Sequence, residues 1–161
     1  MSQNSASSTK DTTPNDTGLD YGDLDEMSGI VLQRAFTTST KYFSDYMGSE
    51  FKPGFYTALS VLEKNPGLTQ KALAQAIRRD TSTLVPFIDR MEKNGWVVRK
   101  QSATDRRAHE LYLTEAGLET AAKFDKKVCE LEASIKKKMG AKDYLQFKRL
   151  LESYERIFTS S

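Results

Sequence analysis

The sequence predicts a mainly α-helical chain with one small β-hairpin, and three observations lead to this prediction. Apolar residues recur at intervals of three and four over most of the chain after residue 24, as in amphipathic helices. The run Trp-Val-Val-Arg-Lys at 96–100 and an alternating run at 109–113 favour two short strands instead. Proline, glycine and asparagine lie where the helical patterns end.

The chain divides into a polar tail and a single domain. Residues 1–18 contain almost only small polar side chains, which bury too little surface to offset their ordering entropy. We therefore expect this tail to be disordered. The remaining residues, 19–161, suit one domain of ordinary size, and a hydrophobic content of 38% can support its core.

Two helices are expected before the central part of the domain. The first runs from about residue 24 to residue 47 and ends at Gly48, a residue that suits a helix terminus. The second begins at Pro53, because proline is favoured in the first helical turn. It stops at the Asn-Pro-Gly sequence of residues 65–67.

Two shorter helices come next. Thr69 is the expected N-cap of the first, which ends near Arg79. The second has an apolar stripe at intervals of three and four, which contains Leu84, Phe87, Ile88 and Met91. Because Pro86 would lose a hydrogen bond deep in a helix, we expect this helix to begin at Ser82 or Thr83. Such a pair, joined by about three residues, is typical of a helix-turn-helix.

The hairpin and two long helices complete the pattern. The hairpin loop is polar and contains Asp105, Arg106 and Arg107. Thr114 is the expected N-cap of a helix that runs to about residue 139, and a last helix extends to about residue 158. The order helix, helix, strand, basic hairpin, strand is that of a winged helix-turn-helix. We place this lobe at about 54–113 and the dimerisation helices at about 24–47 and 115–158.

The charge of the chain is unevenly distributed. Residues 1–26 contain one lysine and six acidic residues, so residues 27–161 carry a net +7 within a total of +2. The strongest excess lies at 71–107, with nine basic against four acidic residues. A basic patch confined to one region favours binding to a phosphate backbone, although many such patches are only solvated surfaces.

Several classes of protein do not fit the composition. One cysteine and one histidine exclude a disulfide framework and a zinc site built from these residues. The sequence shows no nucleophile–base pair, metal cluster or glycine-rich phosphate loop, so we expect no enzyme activity, cofactor or metal. It has no apolar run long enough to span a bilayer and no secretory signal pattern. We expect a cytoplasmic protein that does not bind membranes.

The second helix of the motif has the side chains expected of a DNA-reading helix. A major groove about 12 Å wide admits one helix, whose outward side chains contact base edges and phosphates. Hydroxyl groups at the helix start and a long cation farther along suit these contacts. The candidate DNA-binding residues are Thr69, Thr81, Ser82, Thr83, Pro86 and Arg90, together with Asp105, Arg106 and Arg107 of the wing.

The stretch from Leu68 to Gly117 resembles the multiple-antibiotic-resistance regulator (MarR) family. Each matching fragment is short, but their order and spacing are specific, and the flanking helices extend the resemblance over about residues 24–158. The fragments are Leu68-Thr69-Gln70, Ser82-Thr83-Leu84-Val85-Pro86, Asp89-Arg90-Met91-Glu92-Lys93-Asn94-Gly95-Trp96-Val97, Asp105-Arg106-Arg107 and Leu111-Tyr112-Leu113-Thr114-Glu115-Ala116-Gly117.

The resemblance implies a homodimer in which the first and last helices of two copies interlock beside two DNA-binding lobes. Apolar positions at both chain ends fit such a two-fold interface. The resemblance also implies that Arg107 enters a minor groove and that Asp105 orients the wing. Arginine is favoured in narrow minor grooves because their potential is strongly negative. The alternative is an ordinary charged loop.

The resemblance further implies a small-molecule pocket between the dimer helices and the DNA-binding lobe. Arg34 could pair with a ligand carboxylate there, and the other candidate ligand-binding residues are Thr38, Tyr42, Tyr46 and Phe55. The runs Leu32-Gln33-Arg34-Ala35 and Asp105-Arg106-Arg107-Ala108-His109 resemble regulators of aromatic-acid catabolism. An aromatic acid or aromatic acyl-CoA is therefore the expected effector. These aromatic residues are otherwise typical of a core.

Cys129 and His109 are expected to have no special role. In peroxide-sensing relatives the reactive cysteine lies in the first helix, where this chain has none, so we expect Cys129 to be a buried or inert thiol. His109 is expected to be a surface residue of the second hairpin strand. The main interpretation is thus a ligand-responsive repressor that binds duplex DNA. The alternative is a winged-helix module that binds RNA or a protein partner.

Overall fold

The computed structural model describes residues 22–48, 54–102 and 108–159, and it confirms a mainly helical fold with a small sheet. A 3₁₀ turn at Gly22–Glu26 precedes the first helix. The helices and strands are α1 Ser28–Met47, α2 Phe55–Lys64, β1 Leu68–Thr69, α3 Gln70–Ala76, α4 Thr81–Lys93, β2 Val97–Gln101, β3 His109–Leu113, α5 Glu115–Met139 and α6 Ala141–Thr159.

The described residues up to Tyr42 and those from Phe43 onward form separate compact units. The first contains the 3₁₀ turn and most of α1, and all later elements belong to the second. The expected tail at 1–18 and the expected helix start at Pro53 lie outside the described residues. Within them, α2 begins at Phe55, directly after Gly54 with its left-handed φ of 96°.

Aromatic rings connect the elements of the second unit through its core. Phe55 of α2 contacts Phe87 of α4 with ring centroids 4.7 Å apart, and it meets Trp96 edge-on at 5.4 Å. Trp96 in turn meets Phe124 of α5 edge-on at 6.1 Å. Leu111 of β3 is fully buried in the same core. This packing fixes α4 and the sheet against α2 and α5.

The N-cap of α3 was predicted from the sequence, whereas the turn at the C-terminal end of α3 was not. The Thr69 hydroxyl accepts a hydrogen bond from the backbone N–H of Ala72 at 3.2 Å, which confirms the N-cap. Arg78 has a left-handed φ of 51°. The N–H groups of Arg78 and Arg79 donate to the carbonyls of Gln75 and Ala74, which is the Schellman arrangement that usually uses glycine.

Helix α4 begins earlier than the sequence predicted. Its first residue is Thr81 and its N-cap is Asp80, so the prediction of a start at Ser82 or Thr83 was wrong. The Asp80 carbonyl accepts hydrogen bonds from the N–H groups of Thr83 and Leu84, both at 3.1 Å. Pro86 therefore lies inside the helix and cannot donate to the Ser82 carbonyl. Both residues are exposed, so water can satisfy that carbonyl.

The wing strands pair as predicted and gain a third strand. β2 and β3 are antiparallel, from the pair Val97 and Leu113 to the pair Gln101 and His109. The two-residue strand β1 adds to the other edge of β3, which gives the order β1-β3-β2. Sequence analysis missed β1 because two residues are too few to show a period.

The start of α5 lies against the turn that follows α4. The backbone N–H of Thr114 donates to the Trp96 carbonyl at 3.0 Å, and its hydroxyl donates to the Gly95 carbonyl at 2.5 Å. The same hydroxyl accepts from the N–H of Gly117, which confirms Thr114 as the N-cap. A Cβ atom on Gly117 would lie only 2.0 Å from the Trp96 carbonyl oxygen. The helix can approach this closely only because residue 117 is glycine.

Gly117→Ala should lower the free energy of unfolding by about 3 kcal/mol, because an overlap with a backbone carbonyl cannot be relieved by a rotamer change. Gly95→Ala is the matched control. Gly95 has a φ of 73° but open space around its Cβ position, so it tests backbone strain alone. That control should cost about 1 kcal/mol. Urea denaturation of both variants at one protein concentration measures the difference, and equal costs would contradict the packing argument.

Candidate nucleic-acid interface

Helix α4 separates its residues into a core face and a solvent face, as the sequence predicted. Leu84, Ile88 and Met91 are fully buried, and Phe87 is half-buried beneath the Arg79 guanidinium, 5.0 Å from the ring centre. The predicted DNA-facing residues of this helix are all exposed: Thr81, Ser82, Thr83, Pro86 and Arg90. The solvent face therefore presents three hydroxyl groups at the helix start and a cation two turns later.

Thr69 occupies a different position from the other candidates. It is half-buried, and its hydroxyl accepts the capping hydrogen bond of α3. Its contribution to the interface in the described structure is to fix the start of α3 beside the sheet. A contact between Thr69 and DNA stays a prediction.

The base of the wing is a small polar cluster on the sheet. The backbone N–H of Ser102 donates to the Ala108 carbonyl at 3.0 Å and closes the hairpin. The Tyr112 hydroxyl donates to Glu110 at 2.8 Å, and the Lys100 ammonium lies 4.7 Å from the centre of the Tyr112 ring. Asp105, Arg106 and Arg107 of the predicted wing tip lie outside the described residues. The structure thus describes the base of the wing and both strands that lead to its tip.

Hydrogen bonds at this base change two pKa values. The hydroxyl groups of Ser102 and Tyr112 donate to Glu110 and lower the pKa of this carboxyl below its ordinary value of 4.5. The bond from Ser102 has the larger effect. The hydrogen bond from Tyr112 to Glu110 also raises the pKa of Tyr112 above its ordinary value of 10.0, because the phenol donates to an anion. Both shifts favour the hydrogen-bonded form with an ionised Glu110 and a neutral Tyr112.

The ligand-binding candidates on α1 are exposed in the described structure. Arg34, Thr38 and Tyr42 follow one another at intervals of four residues in the first unit. Tyr46, in the second unit, is 37% exposed. Its hydroxyl donates to Glu130 of α5 at 3.3 Å.

Phe55 lies elsewhere. It is only 1% exposed and belongs to the aromatic core, so a ligand could reach its ring only if a cavity opened beside it. Lys127 of α5 holds the end of α1 in place, since its ammonium donates to the Met47 carbonyl at 3.2 Å. Such a cation at a helix C-terminus is favourable.

Two minor predictions have opposite outcomes. His109 is the exposed first residue of β3, which confirms the predicted surface position. The first alternative for Cys129, a buried thiol, was wrong, because Cys129 is exposed on α5. Its thiol donates a long hydrogen bond of 3.9 Å to Asp125, and the second alternative, an inert thiol, stays a prediction. Asp125 also accepts a hydrogen bond from Tyr56 at 2.9 Å. Burial, and then this bond, raises the pKa of Tyr56.

Sequence analysis missed the position of Arg99, which it counted only as one of the basic residues. Arg99 forms ion pairs with Asp89 and Glu92 of α4 from the adjacent strand β2. The partners are ten and seven residues apart in the chain, across a helix end and a turn. No local pattern predicts such a contact. Within the described ranges, no group of metal-ligating residues and no helix able to span a membrane is found.

Comparison with known proteins identifies the family. Residues 53–109 match the MarR family. A Thauera aromatica protein, assigned as the transcriptional regulatory protein for the hcr operon, is 36% identical over 112 residues, which cover 68% of each chain. The chain belongs to the MarR family. It is a transcriptional regulator of the MarR type, and its fold and relatives are those of DNA-binding regulators and not of enzymes.

Solved MarR-type structures agree with this membership. The transcriptional repressor CouR bound to a 23-mer DNA duplex is similar, with a TM-score of 0.79 and 28% identity, covering 86% of this chain and 99% of that chain. CouR bound to p-coumaroyl-CoA is similar with a TM-score of 0.78 and 26% identity, covering 86% and 98%. The resemblance stated from the sequence is confirmed.

Ser102→Ala should raise the pKa of Glu110 towards its ordinary value, because it removes the main hydrogen bond to the carboxylate. A lowered pKa in the folded state stabilises the fold above the unfolded pKa, and this contribution is lost as the pH falls through the folded pKa. NMR titration of the Glu110 carboxyl carbon measures the change. Tyr112→Phe is the matched control and should raise the pKa less. A larger rise in Tyr112→Phe would reverse the assigned order of the two hydrogen bonds.

Proposed function

We propose that this MarR-family protein is a homodimeric repressor that binds a palindromic operator and is released from it by a small aromatic acid or aromatic acyl-CoA. The observation that carries the proposal is the two-sided α4. Its apolar face is fixed in the core, and its other face exposes three hydroxyl groups and Arg90. CouR, which shares the fold over 86% of this chain, is a repressor that binds duplex DNA.

The exposed face of α4 suits a major groove. Thr81, Ser82 and Thr83 lie in the first turn, where the positive end of the helix dipole also favours phosphate. Arg90 is long enough to reach a phosphate or a guanine edge from the last turn of the helix. We assign the base contacts to the first turn and a mainly electrostatic contact to Arg90.

The wing would extend this contact to the flanking minor groove. β2 ends at Gln101 and β3 begins at His109, and the sequence between these strands contains Arg106 and Arg107. Arginine inserted into a minor groove complements its negative potential. Asp105, two residues before Arg107, would orient the wing.

The proposed dimer rests on apolar side chains that the single chain leaves exposed. Helix α6 contains no buried residue, yet one of its faces carries Phe147, Leu150, Leu151, Tyr154 and Phe158. In the first unit, the exposed apolar residues are Leu24, Met27, Val31, Leu32 and Phe36. Apolar surfaces of this extent are rare on monomers and mark sites of association. A second copy is the natural partner, because a two-fold axis gives each lobe one half-site.

We expect the protein to sediment at micromolar concentration with about twice the chain mass of 18.2 kDa. Leu151→Glu should dissociate it, because the added charge would be buried at the apolar face of α6. Ser153→Glu adds the same charge to α6 away from that face and should leave the dimer intact. A monomeric parent protein, or equal behaviour of the two variants, would contradict this interface.

Operator binding should depend on Arg107. Selection from random duplexes should return an inverted repeat whose half-sites are about one helical turn apart. Arg107→Ala should weaken binding to that duplex by roughly 1–3 kcal/mol, because it removes a minor-groove contact. Fluorescence anisotropy across a salt titration measures both the affinity and the number of phosphates contacted.

The matched control for the loss of charge is Arg149→Ala on α6. It removes the same unit of positive charge outside the DNA-binding lobe and should keep affinity close to that of the parent. The wing assignment fails if Arg107→Ala and Arg149→Ala bind the selected duplex equally well. If the parent selects no sequence at all, operator binding itself is refuted.

The proposed effector rests on α1 and on CouR. Arg34, Thr38 and Tyr42 occur at intervals of four in the first unit, which places a cation and a phenol along one row of α1. An arginine pairs well with a carboxylate or phosphate, and tyrosine rings pack on aromatic groups. CouR, at 26% identity in that complex, binds p-coumaroyl-CoA.

Arg34→Ala should keep operator affinity but abolish release by the effector, because it removes the anion partner and no DNA contact. A thermal-shift screen of benzoate, p-coumarate and their coenzyme A thioesters identifies the effector first. Operator release is then followed by anisotropy. Arg34→Lys, which preserves the charge, should retain part of the response. Normal release of Arg34→Ala would remove Arg34 from the site.

A further inference from the structure

Arg99 connects the wing strand with both helices of the helix-turn-helix. Its guanidinium pairs with Asp89 (Nη2 to Oδ1, 2.5 Å) and with Glu92, both on α4. We assign the Gln70 amide with its oxygen facing Arg99, the orientation that gives both amide groups complementary partners. In this orientation the oxygen accepts hydrogen bonds from Nε of Arg99 at 2.8 Å and from Nη2 at 3.1 Å. One side chain on β2 thus contacts α3 and α4 together.

The surroundings of Arg99 make these contacts more than an ordinary surface ion pair. Its side chain is only 20% exposed, whereas those of Asp89 and Glu92 are 57% and 41% exposed. Water and salt therefore screen the charge of Arg99 less than they screen the charges of an exposed ion pair. A planar guanidinium also fixes direction, because its N–H groups point along set lines in the plane.

The charges around Arg99 bear directly on DNA. Asp89 is adjacent to Arg90, and Glu92 is adjacent to Lys93, on a helix that we propose to enter a major groove. Two uncompensated carboxylates there would repel phosphates over about a Debye length, roughly 10 Å. Arg99 balances part of this charge from behind the helix, while the exposed cations of α4 remain available to DNA.

We propose that Arg99 is a positioning residue for operator binding: it sets the angle between the wing strand and α4 and neutralises the carboxylates of α4, without touching DNA. The proposal rests on the operator binding proposed above. It assigns to Arg99 a part of the selectivity for the operator, because base contacts and the wing contact must be made at the same time. Sequence-independent attraction to phosphates needs no such alignment.

The test compares Arg99→Lys with the parent on two duplexes, the duplex selected from random sequences and a scrambled duplex of equal composition. Lysine keeps the charge but loses the planar, several-fold contact. We expect ~10-fold weaker binding to the selected duplex, the equivalent of one or two charge-assisted hydrogen bonds, and less than about a twofold change on the scrambled duplex. Lys64→Arg, a charge-conserving exchange in the last turn of α2, should change neither.

A second comparison separates charge from position. Arg99→Gln should weaken binding to both duplexes, because it leaves two carboxylates uncompensated. Adding Glu92→Gln restores the parent's net charge. The double variant should then regain affinity for the scrambled duplex but not for the selected one. Recovery on both duplexes would show that Arg99 acts through charge alone and would overturn the positioning role.

Melting temperatures show whether each variant folds, and a variant of Gln70 provides an independent test. Parent-like binding of Arg99→Lys to the selected duplex would overturn the proposal, and so would an equal loss on both duplexes, the sign of a damaged fold. Where Arg99→Lys fails to fold, Gln70→Ala decides. It leaves both ion pairs in place but frees the guanidinium to turn. A loss of affinity for the selected duplex alone would support the proposal. No loss of affinity would overturn it. A parent protein that selects no sequence would instead refute operator binding itself.

Discussion

The first turn of α5 lies so close to the backbone of Trp96 that only a glycine fits between them, and the arrangement of the lobe follows from this contact. Thr114 donates to both carbonyls of the turn at Gly95 and Trp96, so the end of β3 and the start of α5 are fixed to the end of α4. The sheet cannot tilt relative to α4 without breaking these bonds. Packing and hydrogen bonding at this junction thereby set the geometry of the exposed face of α4.

Helix α4 has to satisfy two demands that compete for its residues. Its core face needs large apolar groups. Its outer face, which we propose to enter a major groove, must remain polar without repelling the DNA phosphates. The carboxylates of Asp89 and Glu92 would be unfavourable on such a helix. Because a half-buried cation on the neighbouring strand, Arg99, balances them, the same acidic groups become attachment points between helix and wing.

Local chemistry explains which parts of the fold the sequence could predict. The caps at Thr69 and Thr114 depend on residues within three positions of each other, and both were predicted and found. The start of α4 was misplaced because the sequence does not show that Ser82 and Pro86 lie on the exposed face of the helix, where water can satisfy the Ser82 carbonyl. Strand β1 and the contacts of Arg99 depend on partners distant in the chain, which no local period reveals. The division of α4 into a core face and an exposed face was predictable, whereas the side chain that holds it to the wing was not.

The side chain of Trp96 has a further consequence for experiments. It is the one tryptophan of the sequence, it is 8% exposed, and it stands edge-on between Phe55 and Phe124. Its intrinsic fluorescence therefore reports from the junction of α2, α4 and α5 with no background from other indoles. A red shift of its emission would indicate entry of water at that junction. The protein thus carries its own spectroscopic reporter at the point on which the DNA-binding lobe is built.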